Sequence, residues 1–236
     1  MIKVSVMGAA GRMGQRIVYY LSRDDDIKVV GAKESEKHPS LGIDAGILAG
    51  VGEIGVSISD DIAESSLGAD VIVDFSSPKS TLLNASYASD EGKSMVIGTT
   101  GFTDKEDGEL KKLCRNIPCV ISANMSIGVN VMLEATKILA QALGDDYDVE
   151  ITETHHKHKV DSPSGTALMI GQAAAEGLRR DFRKVARFER HGRIGERPSH
   201  EIGIQSVRGG DVVGEHTVMF LGDGERIELT HRAFSR

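Results

Sequence analysis

The chain has 236 residues and a mass of 25.3 kDa, which is enough for one large hydrophobic core or two modest ones. Its formal net charge is -7 and only 4% of its residues are aromatic, so it offers neither a basic phosphate-tracking surface nor a platform for stacking bases. We therefore expect no nucleic-acid partner. No apolar stretch approaches the roughly 18 residues of a membrane span and no leader precedes the first strand pattern, so no membrane partner and a cytoplasmic location are expected.

The two cysteines, Cys114 and Cys119, are too few for a disulfide framework and lack the spacing of a zinc knuckle. We expect both to be free thiols in a reducing compartment.

Short β-branched runs alternate with helical patterns through the first half of the chain. The predicted strands are 2–7, 27–32, 71–75, 95–98 and 119–122, and the predicted helices are 11–22, 80–91 and 104–114. Such alternation implies right-handed crossovers and a parallel sheet covered on both faces. The sequence therefore predicts a doubly wound, Rossmann-like α/β domain.

The second half has a different pattern, with a boundary expected at residue 126. The predicted elements are a helix at 130–143, a strand at 148–154, a helix from Ser164, and strands at 201–207, 211–221 and 225–230. Two turn sequences, at 208–210 and 222–224, predict hairpins, and the Arg- and Gly-rich stretch 179–200 predicts a long mobile loop. Residues 1–126 thus form the Rossmann-like domain in this interpretation, and 127–236 a smaller α+β domain with an open mixed sheet.

A glycine-rich turn joins the first strand to the first helix. There, glycines permit close approach of backbone N–H groups to a pyrophosphate, and the helix N-terminus stabilises its charge. Glu34 follows the second strand, 20 residues after Gly14, where a carboxylate accepts hydrogen bonds from ribose hydroxyls. A tight turn followed by an unrelated glutamate would give the same pattern. The candidate cofactor residues here are Gly8, Ala9, Ala10, Gly11, Arg12, Met13 and Glu34.

Two later strands end in polar segments at the same edge of the predicted sheet. Ligands of open α/β sheets bind outside the carboxyl ends of the strands, so these segments are candidates for the nicotinamide half of the cofactor site. They comprise Gly98, Thr99 and Thr100 after the fourth strand, and Ser122, Ala123, Asn124 and Met125 after the fifth.

Most of the candidate catalytic and substrate-binding side chains lie between residues 153 and 167. His155 can donate a proton near neutral pH and Lys159 offers a compact positive charge, while Ser164, Gly165 and Thr166 at a helix start can bind a carboxylate. This combination suits an anionic substrate that is protonated during the reaction. The histidines could instead bind a metal, but no acidic residue has ligand spacing and we expect none; a solvated charged loop before a capped helix is a further alternative.

Six segments taken together closely resemble the 4-hydroxy-tetrahydrodipicolinate reductase family of lysine and diaminopimelate biosynthesis. They are Gly8-Ala-Ala-Gly-Arg-Met-Gly14, Asp74-Phe-Ser76, Gly98-Thr-Thr-Gly-Phe102, Ala123-Asn-Met-Ser-Ile-Gly-Val-Asn130, Glu153-Thr-His-His-Lys-His-Lys-Val-Asp-Ser-Pro-Ser-Gly-Thr-Ala167 and Arg208-Gly-Gly-Asp-Val-Val-Gly-Glu-His216. They span essentially the whole chain in order.

The resemblance implies reduction of a small cyclic dicarboxylate by NADH, NADPH or both. In this family pattern His155 is the proton donor and Lys159 its charged partner. The substrate carboxylates are held by His156, Gly165 and Thr166, beside Ser164, and Thr100 lies near nicotinamide and substrate. The resemblance also implies a homotetramer joined through the sheets of the second domains.

Two features depart from the pattern. Relatives that also use the 2′-phosphorylated cofactor often have Arg after the acidic residue, whereas Ser35 follows Glu34 here. Lys33 is expected to point away from Glu34 and Lys37 to lie on a flexible loop, so we expect NADH to be preferred. The sequence also stops at Arg236, where relatives continue into a further helix and tail.

Two other functions remain open at this stage. Another two-domain NAD(P)-dependent dehydrogenase would share the first domain, but it leaves the paired histidines and the Ser-Gly-Thr segment unexplained. A non-catalytic, dinucleotide-sensing regulator predicts no turnover and an effector partner. Turnover tests distinguish the three.

Overall fold

The computed structural model describes residues 1–235. Their contacts divide the chain into two compact units, residues 1–123 and 124–236, the last residue lying outside the described range. The division thus falls slightly before the boundary expected at 126. Each unit has its own hydrophobic core.

The first unit is a doubly wound parallel sheet, as predicted. Within residues 1–123 its strands are β1 (Ile2–Met7), β2 (Ile27–Lys33), β3 (Ile58–Ser59), β4 (Val71–Asp74), β5 (Ser94–Ile97) and β6 (Cys119–Ile121), and its helices are α1 (Arg12–Leu21), α2 (Ala45–Ala49), α3 (Ile62–Ser65), α4 (Pro78–Asp90) and α5 (Asp104–Leu113). The strand order is β3-β2-β1-β4-β5-β6 with every pairing parallel. The chain reverses direction across the sheet between β1 and β4, and such a switch point forms a ligand crevice at the carboxyl ends of the strands.

Both faces of this sheet are covered, which explains why its central strands read as continuous apolar runs. Val6 and Met7 of β1 are fully buried but belong to different clusters, because successive side chains of a strand point to opposite faces. Met7 packs in the cluster that contains Ile97 and Leu110. Val6 packs in the cluster that contains Val18.

The second unit is a mixed sheet with helices against one face. Within residues 124–235 its elements are α6 (Ile127–Leu143), β7 (Asp148–His155), α7 (Gly165–Gly177), α8 (Phe182–Val185), β8 (Ala186–Arg187), β9 (Ile202–Arg208), β10 (Gly214–Gly222) and β11 (Glu225–Ala233). The strand order is β11-β10-β7-β9-β8. β10 is antiparallel to both β7 and β11, whereas β9 is parallel to β7. Along β7 every second residue is buried, and this face packs against α7.

Two sequence-based expectations for this unit are wrong. The turn at 208–210 does not form a hairpin, because β7 lies between β9 and β10. The connection from β9 to β10 instead crosses the carboxyl end of β7, where Gly209 N donates to His155 O at 2.9 Å and His156 N donates to Val212 O at 2.7 Å. Gly-Gly indicates a turn but does not determine which strand the chain pairs with next.

The stretch 179–200 is not a loop throughout, since it contains α8 and β8. Its arginines anchor it to the sheet. Arg190 binds both carboxylate oxygens of Glu150 at 2.8 Å, and Arg197 Nε donates to the same carboxylate at 2.8 Å. These ion pairs account for the arginine-rich composition that suggested a loop.

Among the described residues, no helix has both the length and the apolar character needed to cross a bilayer. Cys114 and Cys119 are both free thiols.

Candidate functional site

The glycine-rich turn after β1 leaves no room for side chains. Gly8 has a φ of +72°, a backbone conformation that glycine adopts without strain. At Gly14 an added Cβ would lie 2.0 Å from the carbonyl oxygen of Gly8 and 2.7 Å from the Cα of Ala9. The turn and the first turn of α1 are therefore packed backbone to backbone.

The N-terminus of α1 differs from those of the other long helices in residues 1–235. Ser77, Thr103, Ser126 and Ser164 each accept a backbone N–H with their side chains at the starts of α4 to α7. Gly11, at the start of α1, has no side chain to do so. The first-turn N–H groups of α1, around Arg12 and Met13, are thus left for an anion, which is the arrangement that a pyrophosphate uses.

A pocket of about 280 Å³ lies beside this turn, at the carboxyl ends of β1, β2 and β4. Its lining includes Gly8, Gly11, Glu34 and Ser35. The residues present therefore fit a dinucleotide: close-packed glycines, an uncapped helix start and a carboxylate meet in one crevice.

The Glu34 carboxylate stabilises the turn by accepting hydrogen bonds from backbone N–H groups. Its Oε1 accepts from Ala10 N at 3.1 Å and its Oε2 from Ser35 N at 2.9 Å. Lys33, expected on the opposite face from Glu34, lines the same pocket. The rule that neighbouring strand residues point to opposite faces does not apply to this pair, because β2 ends at Lys33 and Glu34 lies beyond it.

A buried carboxylate, Asp74, organises two neighbouring loops at the same edge. Its Oδ1 accepts from the backbone N and the hydroxyl of Ser76 at 2.9 and 2.6 Å and from the Thr99 hydroxyl at 3.3 Å, while its Oδ2 accepts from Asn84 at 2.7 Å. The Thr99 side chain is consequently buried, whereas Thr100 is exposed. The sequence segment Asp74-Phe-Ser76 contains this residue but does not indicate its role.

The candidate cofactor residues after β6 are divided between the two units. Ser122 and Ala123 end the first unit, whereas Asn124 and Met125 begin the second. Asn124 donates from its side chain to the Thr166 hydroxyl at 2.9 Å. A residue predicted for the cofactor is therefore hydrogen-bonded to one predicted for the substrate.

His155 is the last residue of β7 and lies on its buried face beside Glu153. Its Nδ1 is 2.5 Å from Oε2 of Glu153, so the ring and the carboxylate are in direct hydrogen-bond contact. Arg208, at the end of β9, binds Glu153 in a bidentate pair with both contacts at 2.8 Å, and Ser164 N donates to the same carboxylate at 3.1 Å.

Glu153 is ionised despite having no exposed surface. Burial alone would raise its pKa, but hydrogen bonds from Arg208, His155, Ser206 and Ser164 outweigh it and lower the pKa of Glu153 to about 2. The hydrogen bonding between Arg208 and Glu153 in turn raises the pKa of Arg208. The cluster therefore holds a permanent ion pair against the His155 ring.

A second histidine, His216 of β10, contacts His155 edge to face with the ring centroids 5.1 Å apart. Its Nε2 lies 3.0 Å from the Ser164 hydroxyl. Burial, followed by the nearby charge of His155, lowers the pKa of His216 to about 4. His216 is thus neutral at pH 7 and unsuited to supply a proton there.

The predicted anion-binding residues lie at the start of α7. The Ser164 hydroxyl accepts from Ala167 N at 3.2 Å, and Gly165 and Thr166 form the first turn of the helix. In the preceding loop, Lys159 donates to both carboxylate oxygens of Asp161 at 2.9 and 2.8 Å. Burial opposes the ionisation of Asp161, but Lys159 outweighs it and the pKa of Asp161 is lowered.

The His156 ring lies near that of His158, with the ring centroids 6.3 Å apart and the ring planes tilted by 42°. Among residues 1–235 no set of three or more His, Cys, Asp or Glu side chains is grouped as a metal ion would require.

Three residues of the cluster received no role from sequence reasoning: Glu153, Arg208 and His216. Glu153 had an available signal, because it is two residues before His155 in a strand and so shares its face. Arg208 and His216 come from strands whose pairing with β7 was not predicted.

A dinucleotide crevice at a doubly wound sheet, followed by a mixed-sheet unit with an ionisable cluster at a strand end, defines a two-domain oxidoreductase of the nicotinamide-dependent class. Comparison with known families identifies which one. The N-terminal model of dihydrodipicolinate reductase matches residues 2–125 and its C-terminal model matches residues 128–236. The chain belongs to the dihydrodipicolinate reductase family.

Individual relatives agree with this assignment. Proteins named 4-hydroxy-tetrahydrodipicolinate reductase from Geotalea daltonii and Geobacter sulfurreducens are 53% and 52% identical over all of this chain and 88% of their own. A dipicolinate-bound dihydrodipicolinate reductase from Paenisporosarcina sp. TG-14 superposes with a TM-score of 0.73 at 25% identity, covering 99% of this chain and 88% of that one. GenD2 in complex with NAD shares the fold alone, with a TM-score of 0.64 at 12% identity over 97% of this chain and 72% of its own.

Proposed function

We propose that this enzyme reduces 4-hydroxy-tetrahydrodipicolinate to tetrahydrodipicolinate in lysine and diaminopimelate biosynthesis, with His155 as the proton donor. The names of its relatives support the substrate. The overall change removes the 4-hydroxyl group as water and adds one hydride and one proton to the ring. A bound dihydronicotinamide supplies the hydride.

The observation that carries the role of His155 is its hydrogen bond to Glu153 at the end of β7. The ring is largely buried but retains an exposed edge, so it can reach a substrate while its other side is held in place. Hydride addition leaves an electron-rich enamine in the ring, His155 donates its proton to a carbon of that enamine, and His155 is then reprotonated from solvent.

The substrate carboxylates bind at the start of α7 in this proposal. The backbone N–H groups of Gly165 and Thr166 and the Thr166 hydroxyl provide donors, and the helix dipole favours the negative charge. Lys159 adds a cation by exchanging Asp161 for the substrate, and His156 contributes from the same loop. Residues 127–236 therefore serve as the substrate-binding domain and residues 1–126 as the dinucleotide-binding domain.

For the cofactor we propose NADH or NADPH, with NADH preferred. Glu34 presents a carboxylate where the adenine ribose binds in this fold, which favours free hydroxyls over a 2′-phosphate. Ser35 carries no charge to offset it. Lys33 lines the same pocket and is a cation that would reduce the preference.

We further propose a homotetramer in the cytoplasm, joined through the sheet of the second unit. The face of β10 that carries Thr217 and Met219 is opposite the buried face against α7 and is only half-buried. Sedimentation of the wild-type protein and of Met219→Glu tests this interface: a tetramer that Met219→Glu dissociates is expected, and a wild-type monomer contradicts it.

The proposed reaction is tested by following loss of dihydronicotinamide absorbance with freshly generated substrate. We expect turnover by the wild-type protein and a decrease in kcat of roughly 10²–10⁴-fold for His155→Gln, the usual contribution of a positioned acid. His158→Gln, on the exposed part of the same loop, is the matched control and should retain activity. Absence of turnover in the wild type contradicts the function, and full activity in His155→Gln contradicts the role of His155.

A further inference from the structure

Glu153 is a fully buried carboxylate to which the proposed reaction gives no step. Its two oxygens receive two hydrogen bonds from Arg208, one from Ser164 N and the short contact with His155 Nδ1. An ionised carboxylate can only accept hydrogen bonds. The Nδ1 of His155 must therefore carry a hydrogen, and the proton that the ring exchanges is the one on Nε2.

Arg208 changes the electrostatic effect of Glu153 on this ring. A carboxylate alone beside a histidine favours the imidazolium and raises its pKa, which makes it a weaker acid. The bidentate guanidinium cancels most of that charge while leaving the hydrogen bond from Nδ1 intact. The hydrogen bond to Glu153 therefore keeps the His155 ring in place.

The other groups facing His155 come from each element packed around it. They are Glu153 of β7, Arg208 of β9 and neutral His216 of β10, with His231 of β11 beyond His216. The Lys159–Asp161 pair of the loop before α7 lies near the same cluster, since the charge of Lys159 acts on His216. Lys159 and Asp161 largely offset each other, and His216 stays neutral above about pH 4. Glu153 and Arg208 are therefore the dominant and opposing influences on the ring.

We infer that Glu153 and Arg208 act as a positioning pair for His155: Glu153 fixes the tautomer that presents Nε2 to the substrate, and Arg208 limits the charge that Glu153 exerts. The inference rests on the proposed role of His155 as proton donor. Neither residue needs to touch the substrate, and their effects on the acidity of His155 are opposite in sign.

The first test reads the tautomer in the unaltered protein, by NMR of the full chain labelled with ¹⁵N in histidine. The resonances of His155 are identified by their loss in His155→Gln. We expect the neutral ring of His155 to be protonated at Nδ1. A neutral ring protonated at Nε2 overturns the inference. This test keeps Glu153 and Arg208 unaltered, so it does not depend on the folding of variants at those positions.

The second test follows the pKa of His155 by the same NMR titration and the alkaline decrease of kcat/KM. Glu153→Gln removes the carboxylate charge and should lower the pKa of His155, moving the decrease to lower pH. Arg208→Gln leaves the carboxylate uncompensated and should raise the pKa, moving the decrease to higher pH. If the two residues had only a structural role, Glu153→Gln and Arg208→Gln would not shift the pKa of His155 in opposite directions.

Glu201→Gln is the matched control, because Glu201 is also a buried carboxylate held by two arginines, Arg187 and Arg190, in the same unit. It should leave both the pKa of His155 and the pH profile unchanged. Equal pKa values in all variants, or displacements in the same direction, overturn the inference. If the NMR shifts appear but the wild type does not reduce the substrate, the proposed function fails while the positioning of His155 stands.

Discussion

Gly14 offers a sharp test of the cofactor turn, because the structure fixes the size of the perturbation. In Gly14→Ala the new methyl carbon would lie 2.0 Å from the Gly8 oxygen and 2.7 Å from Ala9 Cα. Both are backbone atoms and cannot rotate aside. The turn must shift, and we assign this a cost of about 3 kcal/mol, at the upper end of the range for overpacking.

The same substitution removes a glycine from a helix, which by itself stabilises by up to about 1 kcal/mol. The net expectation for Gly14→Ala is therefore a loss of about 2 kcal/mol. Gly108→Ala isolates the helix effect, since Gly108 lies in α5 with no atom within 4 Å of an added Cβ. It should be stabilised by about 0.5–1 kcal/mol.

Thermal or urea unfolding measures these stabilities, and quenching or enhancement of dihydronicotinamide fluorescence measures cofactor binding. Gly14→Ala should weaken binding of NADH at least about tenfold, since a backbone displacement of about 1 Å misplaces every donor that faces the pyrophosphate. Gly108→Ala should bind normally. Wild-type stability and affinity in Gly14→Ala would refute the close packing on which the cofactor assignment rests.

Three further predictions follow from individual residues. Lys159→Ala should raise KM and lower kcat, because it removes the cation for the substrate carboxylate, whereas the exposed Lys157→Ala should do neither; a change confined to thermal stability would return Lys159 to a structural role. The ratio of kcat/KM for NADH and NADPH on one preparation should favour NADH, and a clear advantage for NADPH contradicts the argument from Glu34. Acidification from pH 6.5 to 4 should destabilise the fold by up to about 3 kcal/mol, because the lowered pKa of His216 makes the unfolded state bind a proton that the folded state rejects. Urea unfolding of His216→Gln over that range should show a smaller loss, and an equal loss would assign the acid sensitivity elsewhere.

The first unit was predictable from sequence because its strands are buried on both faces and its glycine turn is local. Strand β3 was missed since it has only two residues, and pattern reasoning needs a longer run. Its pairing with β2 follows from the fold, not from its own sequence.

The site in the second unit was predictable only in part. His155, Lys159 and Thr166 are close in sequence and were found together. The partners of Glu153 come from far along the chain, Arg208 being 55 residues away. Identifying them required knowing that β9 is parallel to β7, which the Gly-Gly turn obscured.

The Glu153 cluster also makes the second sheet intolerant of strand slippage. Opposite Glu153, β10 places His216 and β9 places Ser206, with Arg208 opposite His155. Moving β9 by one residue along β7 would turn the Arg208 side chain to the other face and leave the Glu153 carboxylate buried without its cation. An uncompensated buried charge costs about 3–5 kcal/mol, a large fraction of the stability of a typical domain. The same ion pair that faces the proton donor therefore discriminates against misaligned sheets as the chain folds.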